Sequence, residues 1–371
     1  MPVKALVIGG TGPTGPHVVR GLLERGYAVE ILHRGVHEPA NLPAVRHIHA
    51  DPHFAETLHA ALGARAYDVI VAMYGRLKTI SAIAAGRCGQ LVAIGGIPVY
   101  RGFFHPERAR PTGMKLLISE DGPFADAPPP AVPGKMLDAE HAVFEQAARG
   151  SYRATVLRYS QIYGPHSVVP WEWAVVRRVL DGRARMLMPD GGLGIVSRCA
   201  SRNAAGMVLS VVDQPEIADG HAFNCADDDQ YTWLQWAQAI AGILGTEMEF
   251  IDIPSVVAPS LAAELLALAD TAPHLLVSNR KAKQVLGFRE VLPAAVALEE
   301  TVEWLLANPV TAGQYPAYPA SFDYDREDRL ARAFAQAVEE IRAAVPDVLP
   351  AVGHPMAHPK TPGTAPDARG R

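Results

Sequence analysis

An α/β fold is predicted: a Rossmann-type, doubly wound parallel sheet followed by a smaller α/β lobe toward the C-terminus. Short β-branched runs alternate with helical periods through the first 165 residues, the rhythm of parallel strands joined by crossover helices. A glycine-rich turn, IGGTGPTG from Ile8 to Gly15, stands between the first strand and the first helix. A long Pro-rich passage, Ile97 to Pro133, leaves a later strand at its carboxyl end, where open α/β sheets place their ligands.

The first strand is expected at 3–9. The turn after it satisfies two spacings at once, GxxGxxG with Gly9, Gly12 and Gly15 and GxGxxG with Gly10, Gly12 and Gly15. A chain that must reverse tightly, bring its backbone close to a pyrophosphate and pack a helix on the sheet favours residues without a Cβ. The helix at 16–25 then offers unpaired N–H donors and about half a positive charge to phosphates. Strands at 28–32 and 45–49, a helix at 54–63, a strand at 68–73, a helix at 78–86 and a strand at 90–95 continue the alternation. After the Pro-rich passage come a helix at 135–149 and a strand with its exit at 154–164.

Beyond 165 the rhythm loosens. Helices at 171–182, 203–213 and 232–244, a turn at 188–194 and strands near 221–225 and 248–253 are expected, and this part reads as the smaller lobe. Past Pro309, Asp323 or Asp325 caps a helix whose apolar positions Leu330, Phe334, Val338, Ile341 and Val345 recur every three or four residues. Its apolar face packs on its own domain or on a second subunit, which makes a homodimer a possibility to test. The last twenty or so residues, rich in Pro, Gly and Ala, read as a disordered tail.

Composition excludes several classes. A chain of 371 residues with 49% hydrophobic residues buries a sizeable core without staples. A net charge of −5 without a basic run offers no surface for nucleic acid. Cys88, Cys199 and Cys225 are widely spaced and form no CxxC, which suits free thiols in a reducing compartment. The opening MPVKALVIGG is a single short strand rather than a signal peptide, so the expected location is cytoplasmic. No apolar window approaches the roughly 18 residues that a membrane span requires.

With the glycine turn, SEDGPFADAPPPAVPGKMLDAE (119–140), LRYSQIYGP (157–165) and NRKAKQVLGF (279–288) in this order, the chain resembles the extended short-chain dehydrogenase/reductases over roughly residues 3–308. Sugar-nucleotide epimerases and dehydratases are their best-known members. The resemblance implies a domain at 1–165 that holds NAD(P), to which later segments return, and a substrate lobe mainly at 166–310. A helical extension at 311–345 and a tail at 346–371 complete the expected organisation. The implied chemistry is that of an oxidoreductase or epimerase acting on a small organic molecule.

For the cofactor, Gly9, Gly10, Thr11, Gly12, Pro13, Thr14 and Gly15 are expected around the pyrophosphate. An acidic residue that would hold the adenosine ribose belongs at the end of the second strand, about 20 residues after the turn. There the chain has His33 and Arg34, while Glu30 falls too early. A guanidinium with no competing carboxylate favours NADP(H) over NAD(H), although Arg34 also reads as a solvated surface charge. By similarity Asp51 contacts the adenine, or else it is a cap.

The catalytic positions depart from the family. Its chemistry uses a Tyr, a Lys four residues later and a Ser or Thr. Alignment on Glu140 places Val132 and Met136 at the first two, and Gly96 at the third. Shifting by one to use Lys135 sets Ala131 opposite the tyrosine. Three readings follow. An enzyme draws on relocated groups among Tyr100, Lys135, Tyr159, Tyr163 and His166, with Trp171 and Trp173 walling the substrate. Alternatively the chain is a catalytically silent NADP-binding sensor. The third, an RNA-binding relative, is disfavoured by the acidic charge. Each Tyr has a structural alternative as a buried hydrogen-bonded group, and each Trp as core. His47, His49 and His53 flank a strand end, but only two share a strand face and no Cys completes a set, so no metal is expected.

Overall fold

A computed structural model describes residues 3–36, 38–73, 76–126, 128, 131–257, 274–315 and 319–345. The chain divides into two compact units, Met1–Phe322 and Asp323–Arg371.

The first unit is built on seven strands: β1 (Lys4–Ile8), β2 (Ala28–His33), β3 (Arg46–His49), β4 (Tyr67–Ala72), β5 (Cys88–Gly96), β6 (Arg153–Tyr159) and β10 (His221–Cys225). They lie in the order β10-β6-β5-β4-β1-β2-β3, and every pairing is parallel. The chain winds outward from β1 to β3 and then restarts at β4 on the other side of β1, so a crevice opens at the carboxyl ends of β1 and β4.

Both faces of the sheet are covered, which is why its strands read as unbroken apolar runs. Ala5, Val7 and Ile31 point to α1 (Gly15–Glu24) and α6 (Ser201–Asp213), packing with Val18, Leu22, Met207 and Val211. Leu6, Ile8 and Leu32 point the other way, to a core completed by α2 (Ala55–Leu62), α3 (Leu77–Ala84) and α4 (Val132–Ala148). The helices α1 and α6 approach closely because of Gly21, where a Cβ would stand 2.2 Å from Leu209 Cδ1.

The strand near 221–225, read above with the smaller lobe, is instead the edge strand of the main sheet, hydrogen-bonded along β6. Its Phe223, Asn224 and Cys225 are buried. The lobe itself holds two small parallel pairs, β7 (Gln161–Tyr163) with β9 (Arg198–Ala200) and β8 (Arg185–Pro189) with β11 (Glu249–Ile253). The expected turn at 188–194 is a strand end followed by a single 3-10 turn at Asp190–Gly192. Helices α5 (Trp173–Leu180), α7 (Pro215–Ala218), α8 (Trp233–Ile243), α9 (Arg280–Leu286) and α10 (Ala294–Ala307) complete this unit. A capping box starts α8, with Thr232 and Gln235 bonding each other's backbone N–H.

In the second unit α11 (Tyr324–Ala344) is capped by the Asp323 carboxylate, which accepts from the Arg326 N–H at 2.9 Å. At its far end Ile341 and Val345 are exposed. The expected tail at 346–371 lies outside the described residues. Among the described residues, no helix is long and apolar enough to cross a membrane.

Candidate functional site

The glycine turn sits at the carboxyl end of β1, next to the switch in strand order. The Gly9 N–H donates to the Leu32 carbonyl at 2.8 Å, tying the turn to β2, and Gly9 has φ +89°, a conformation that suits glycine. Gly15 begins α1 so near the turn's start that a Cβ there would lie 2.0 Å from the Gly10 carbonyl oxygen. Over Gly12, by contrast, a Cβ would meet nothing within 4 Å. Among the described residues, the N–H groups of Gly12 and Thr14 reach no backbone acceptor, and both stand at the positive end of α1. Thr11, Pro13 and Thr14 complete the loop, with Thr14 buried. A closed inner wall and an open outer face with available donors make a cradle for a diphosphate.

At the end of β2, His33 is buried and accepts the Gly35 N–H on Nδ1 at 3.1 Å. Burial, then the neighbouring His47, holds its pKa below the usual value. Arg34 is exposed. The Asp51 carboxylate accepts the His53 backbone N–H at 2.9 Å and meets His53 Nδ1 at 2.6 Å, a local turn of the kind weighed above as a cap. Glu30 is used within the sheet, where it accepts from Tyr67 at 2.6 Å and from Arg46 at 3.0 Å.

Two of the positions aligned above do lie together: a Cβ built on Gly96 would stand 3.1 Å from Met136 Cε, across the strand-to-helix gap. Val132, at the Tyr place, is exposed at the start of α4. Neither Val132 nor Met136 carries a group that can exchange a proton.

The relocated candidates fall into two groups. Tyr100 is buried, donates to Asn224 Oδ1 at 2.6 Å and accepts from Arg158 Nη1 at 2.9 Å. Burial pushes its pKa up to about 12. Tyr163 is also buried and donates to Asp227 Oδ2 at 2.8 Å, with burial raising its pKa. Asp227 in turn accepts from Asn203 and the Ala200 N–H. Both phenols are consumed by structural networks. Lys135 is exposed on the first turn of α4. The Tyr159 hydroxyl is buried beside the Thr14 side chain of the glycine turn without a hydrogen bond of normal geometry, and burial raises its pKa well above the usual value. His166 adopts φ +63° with its ring 5.0 Å from that of Trp304.

Trp173 is packed inside the lobe, donating through Nε1 to the Ala320 carbonyl at 3.0 Å. Trp171 lies 5.0 Å from Trp233, ring to ring, against a small apolar gap with Met186 and Met188. A cavity of about 400 Å³ opens in the Pro-rich loop, bounded by Tyr100, Arg101, His105, Arg108, Arg110 and Pro133. Nothing in the sequence spacing of these cations marked them as neighbours.

His17, on the first turn of α1, lines another cavity, with Arg20, Arg202 and Glu300. Burial, then Arg20 and Arg202, lowers its pKa from 6.5 to about 4. The folded chain thus binds fewer protons here than the unfolded chain between those values, and stability falls as pH drops from 6.5 to 4. We expect the melting temperature of the wild type to fall more steeply across this window than that of His17→Gln. Parallel curves would contradict the assignment.

Seven parallel strands wound both ways from a glycine turn, with helices on both faces, make a Rossmann-type α/β fold. No family model and no curated protein sequence matches the chain. Solved structures do. The dTDP-glucose 4,6-dehydratase of Bacillus anthracis, crystallised with NAD, is 16% identical with a TM-score of 0.64, covering 82% of this chain and 97% of its own. The UDP-glucose 4-epimerase of Thermotoga maritima, with UDP-glucose, is 16% identical with a TM-score of 0.64, covering 82% and 99%. The dTDP-glucose 4,6-dehydratase of Streptomyces venezuelae, with NAD, is 18% identical with a TM-score of 0.63, covering 82% and 98%.

Proposed function

We propose that the chain binds a nicotinamide dinucleotide on the Gly9–Gly15 turn and acts as an oxidoreductase or epimerase-type enzyme on a small organic molecule. The observation that carries this reading is the turn itself: Gly15 is sterically obligatory, yet the face over Gly12 is left open. When bound, the dinucleotide would supply hydride transfer. The chain's part is to seat the diphosphate on the Gly12 and Thr14 N–H groups and to exclude water beneath the Pro-rich loop.

With Val132 and Met136 unable to move a proton, Lys135 or Tyr159 supplies it, since neither reactive atom is consumed in a structural network like those of Tyr100 and Tyr163. Arg101, Arg108 and Arg110 line the loop cavity, the first paired with Asp126 and the second with Glu107, so a substrate carboxylate or phosphate would bind there by competing for these guanidinium groups. Purified protein should oxidise NADPH with some member of a panel of anionic carbonyl compounds. Lys135→Ala or Tyr159→Phe should then lower kcat by about 10²- to 10⁴-fold, the usual worth of a general acid. Stoichiometric binding without turnover across the panel would support the silent sensor instead.

Between the two cofactors we favour NADP(H), through Arg34. A charge-assisted hydrogen bond contributes about 1.5–3 kcal/mol, so Arg34→Ala should weaken NADPH roughly ten- to a hundredfold and leave NADH nearly unchanged. Equal losses for both in a fluorescence titration would refute the preference.

A further inference from the structure

Four side chains converge at the carboxyl ends of β2 and β3. The parallel register pairs His33 with His49 and Ile31 with His47, which puts the three imidazoles on one face of the sheet. Glu38 reaches them from the loop between the strands. His33 Nε2, His47 Nδ1, His49 Nε2 and a Glu38 carboxylate oxygen all lie within 4.8 Å of one another.

The individual separations are 3.0 Å from His33 to His47, and 3.5, 3.3 and 3.3 Å from the Glu38 oxygen to His33, His47 and His49. Around a tetrahedral ion with ligand distances of about 2.0–2.1 Å, ligand atoms stand about 3.3 Å apart. Four of the six edges of such a tetrahedron are thus already within a few tenths of an ångström of that length. We propose that His33, Glu38, His47 and His49 form a binding site for a divalent transition-metal ion of the Zn²⁺ class. Three imidazoles and one carboxylate are ligands that such an ion accepts and that Mg²⁺ or Ca²⁺ does not prefer.

Proton accounting sets the cost. His33 Nδ1 accepts the Gly35 N–H, so the neutral ring carries its proton on Nε2 and donates it to His47. To bind an ion through Nε2, His33 moves that proton to Nδ1 and gives up the Gly35 bond. Gly35, exposed and at φ +75°, can turn its N–H away. His47 Nδ1, which accepts that proton, already presents a lone pair, whereas His49, whose Nε2 donates to Glu38, must likewise move its proton to Nδ1. His53, which the sequence groups with these histidines, is engaged with Asp51 and stays outside the cluster.

The proposal uses none of the diphosphate-cradle residues, although His33 adjoins Arg34 at the expected ribose position, and its test uses no dinucleotide. Full-length, tag-free protein, stripped with a chelator, is titrated with Zn²⁺ and separately with Co²⁺. We expect one equivalent per chain and the intense visible absorption of tetrahedral Co²⁺. His49→Gln, whose parent side chain is 60% exposed, preserves the fold. It should weaken Zn²⁺ by at least about tenfold, the loss that even an outer-shell partner causes, as should Glu38→Gln. His53→Gln should bind like the wild type. Absence of stoichiometric uptake, an octahedral Co²⁺ spectrum, or unchanged affinity in His49→Gln and Glu38→Gln would overturn the site.

Discussion

Gly12→Ala and Gly15→Ala should fail in different ways. At Gly15 the added methyl would lie 2.0 Å from the Gly10 oxygen and 2.3 Å from its carbon, both backbone atoms that no rotamer change can move. The turn must deform, at a cost of about 1–3 kcal/mol or more, and the melting temperature falls together with cofactor affinity. At Gly12 the methyl meets nothing within 4 Å, so folding stability should stay within about 0.5 kcal/mol of wild type. Yet that methyl occupies the space through which a diphosphate approaches the backbone. Losing one charge-assisted hydrogen bond there weakens the dinucleotide about ten- to a hundredfold. Paired thermal melts and titrations separate the two effects. A Gly12→Ala protein that binds normally would mean that nothing rests on this face.

Glu140→Gln should produce the largest loss of stability. Arg158 and Glu140 face each other with side chains only 5% and 3% exposed, joined at 2.8 Å through Nη2 and bonded again through Nε. Arg158 Nη1 also donates to the Glu120 carbonyl at 2.7 Å and to Tyr100, which carries the bonding on to Asn224 of β10. The network therefore fastens α4, the Pro-rich loop, β6 and β10 at the edge of the site. Removing the carboxylate's charge strands a buried guanidinium, at a cost of about 3–5 kcal/mol. Denaturant unfolding measures it. A double replacement of Arg158 and Glu140 by Met should cost less than the two single losses combined, because no uncompensated charge remains. A Glu140→Gln loss below about 1 kcal/mol would contradict this account, since that is the scale of an exposed pair.

Most of the sheet was legible because β1, β2, β4, β5 and β6 are short, largely apolar runs and because IGGTGPTG admits few other conformations, whereas β3, RHIH, holds one apolar residue and follows β2 without an intervening helix. Two features were not. RMLMP at 185–189 lacks alternation, being buried along most of its length, and nothing in five residues distinguishes it from a turn flank. The strand HAFNC was readable as a strand, but its return to the main sheet depends on a pairing with β6 more than sixty residues earlier.

The site was legible in the same uneven way. Steric necessity at the glycines could be read directly. The fates of Tyr100 and Tyr163 could not, since their partners Asn224, Arg158 and Asp227 are distant in sequence. Likewise His33 and Glu38 join His47 and His49 only because parallel pairing aligns the ends of β2 and β3. A histidine two residues along a strand predicts a shared face. Its cross-strand neighbour requires the register.

Isothermal titration of the intact chain with NADPH, NADP⁺, NADH and NAD⁺ tests the central claim most directly. The account predicts saturable binding of at least one of them at one molecule per chain, weakened in Gly12→Ala. Heat of dilution alone for all four would contradict it.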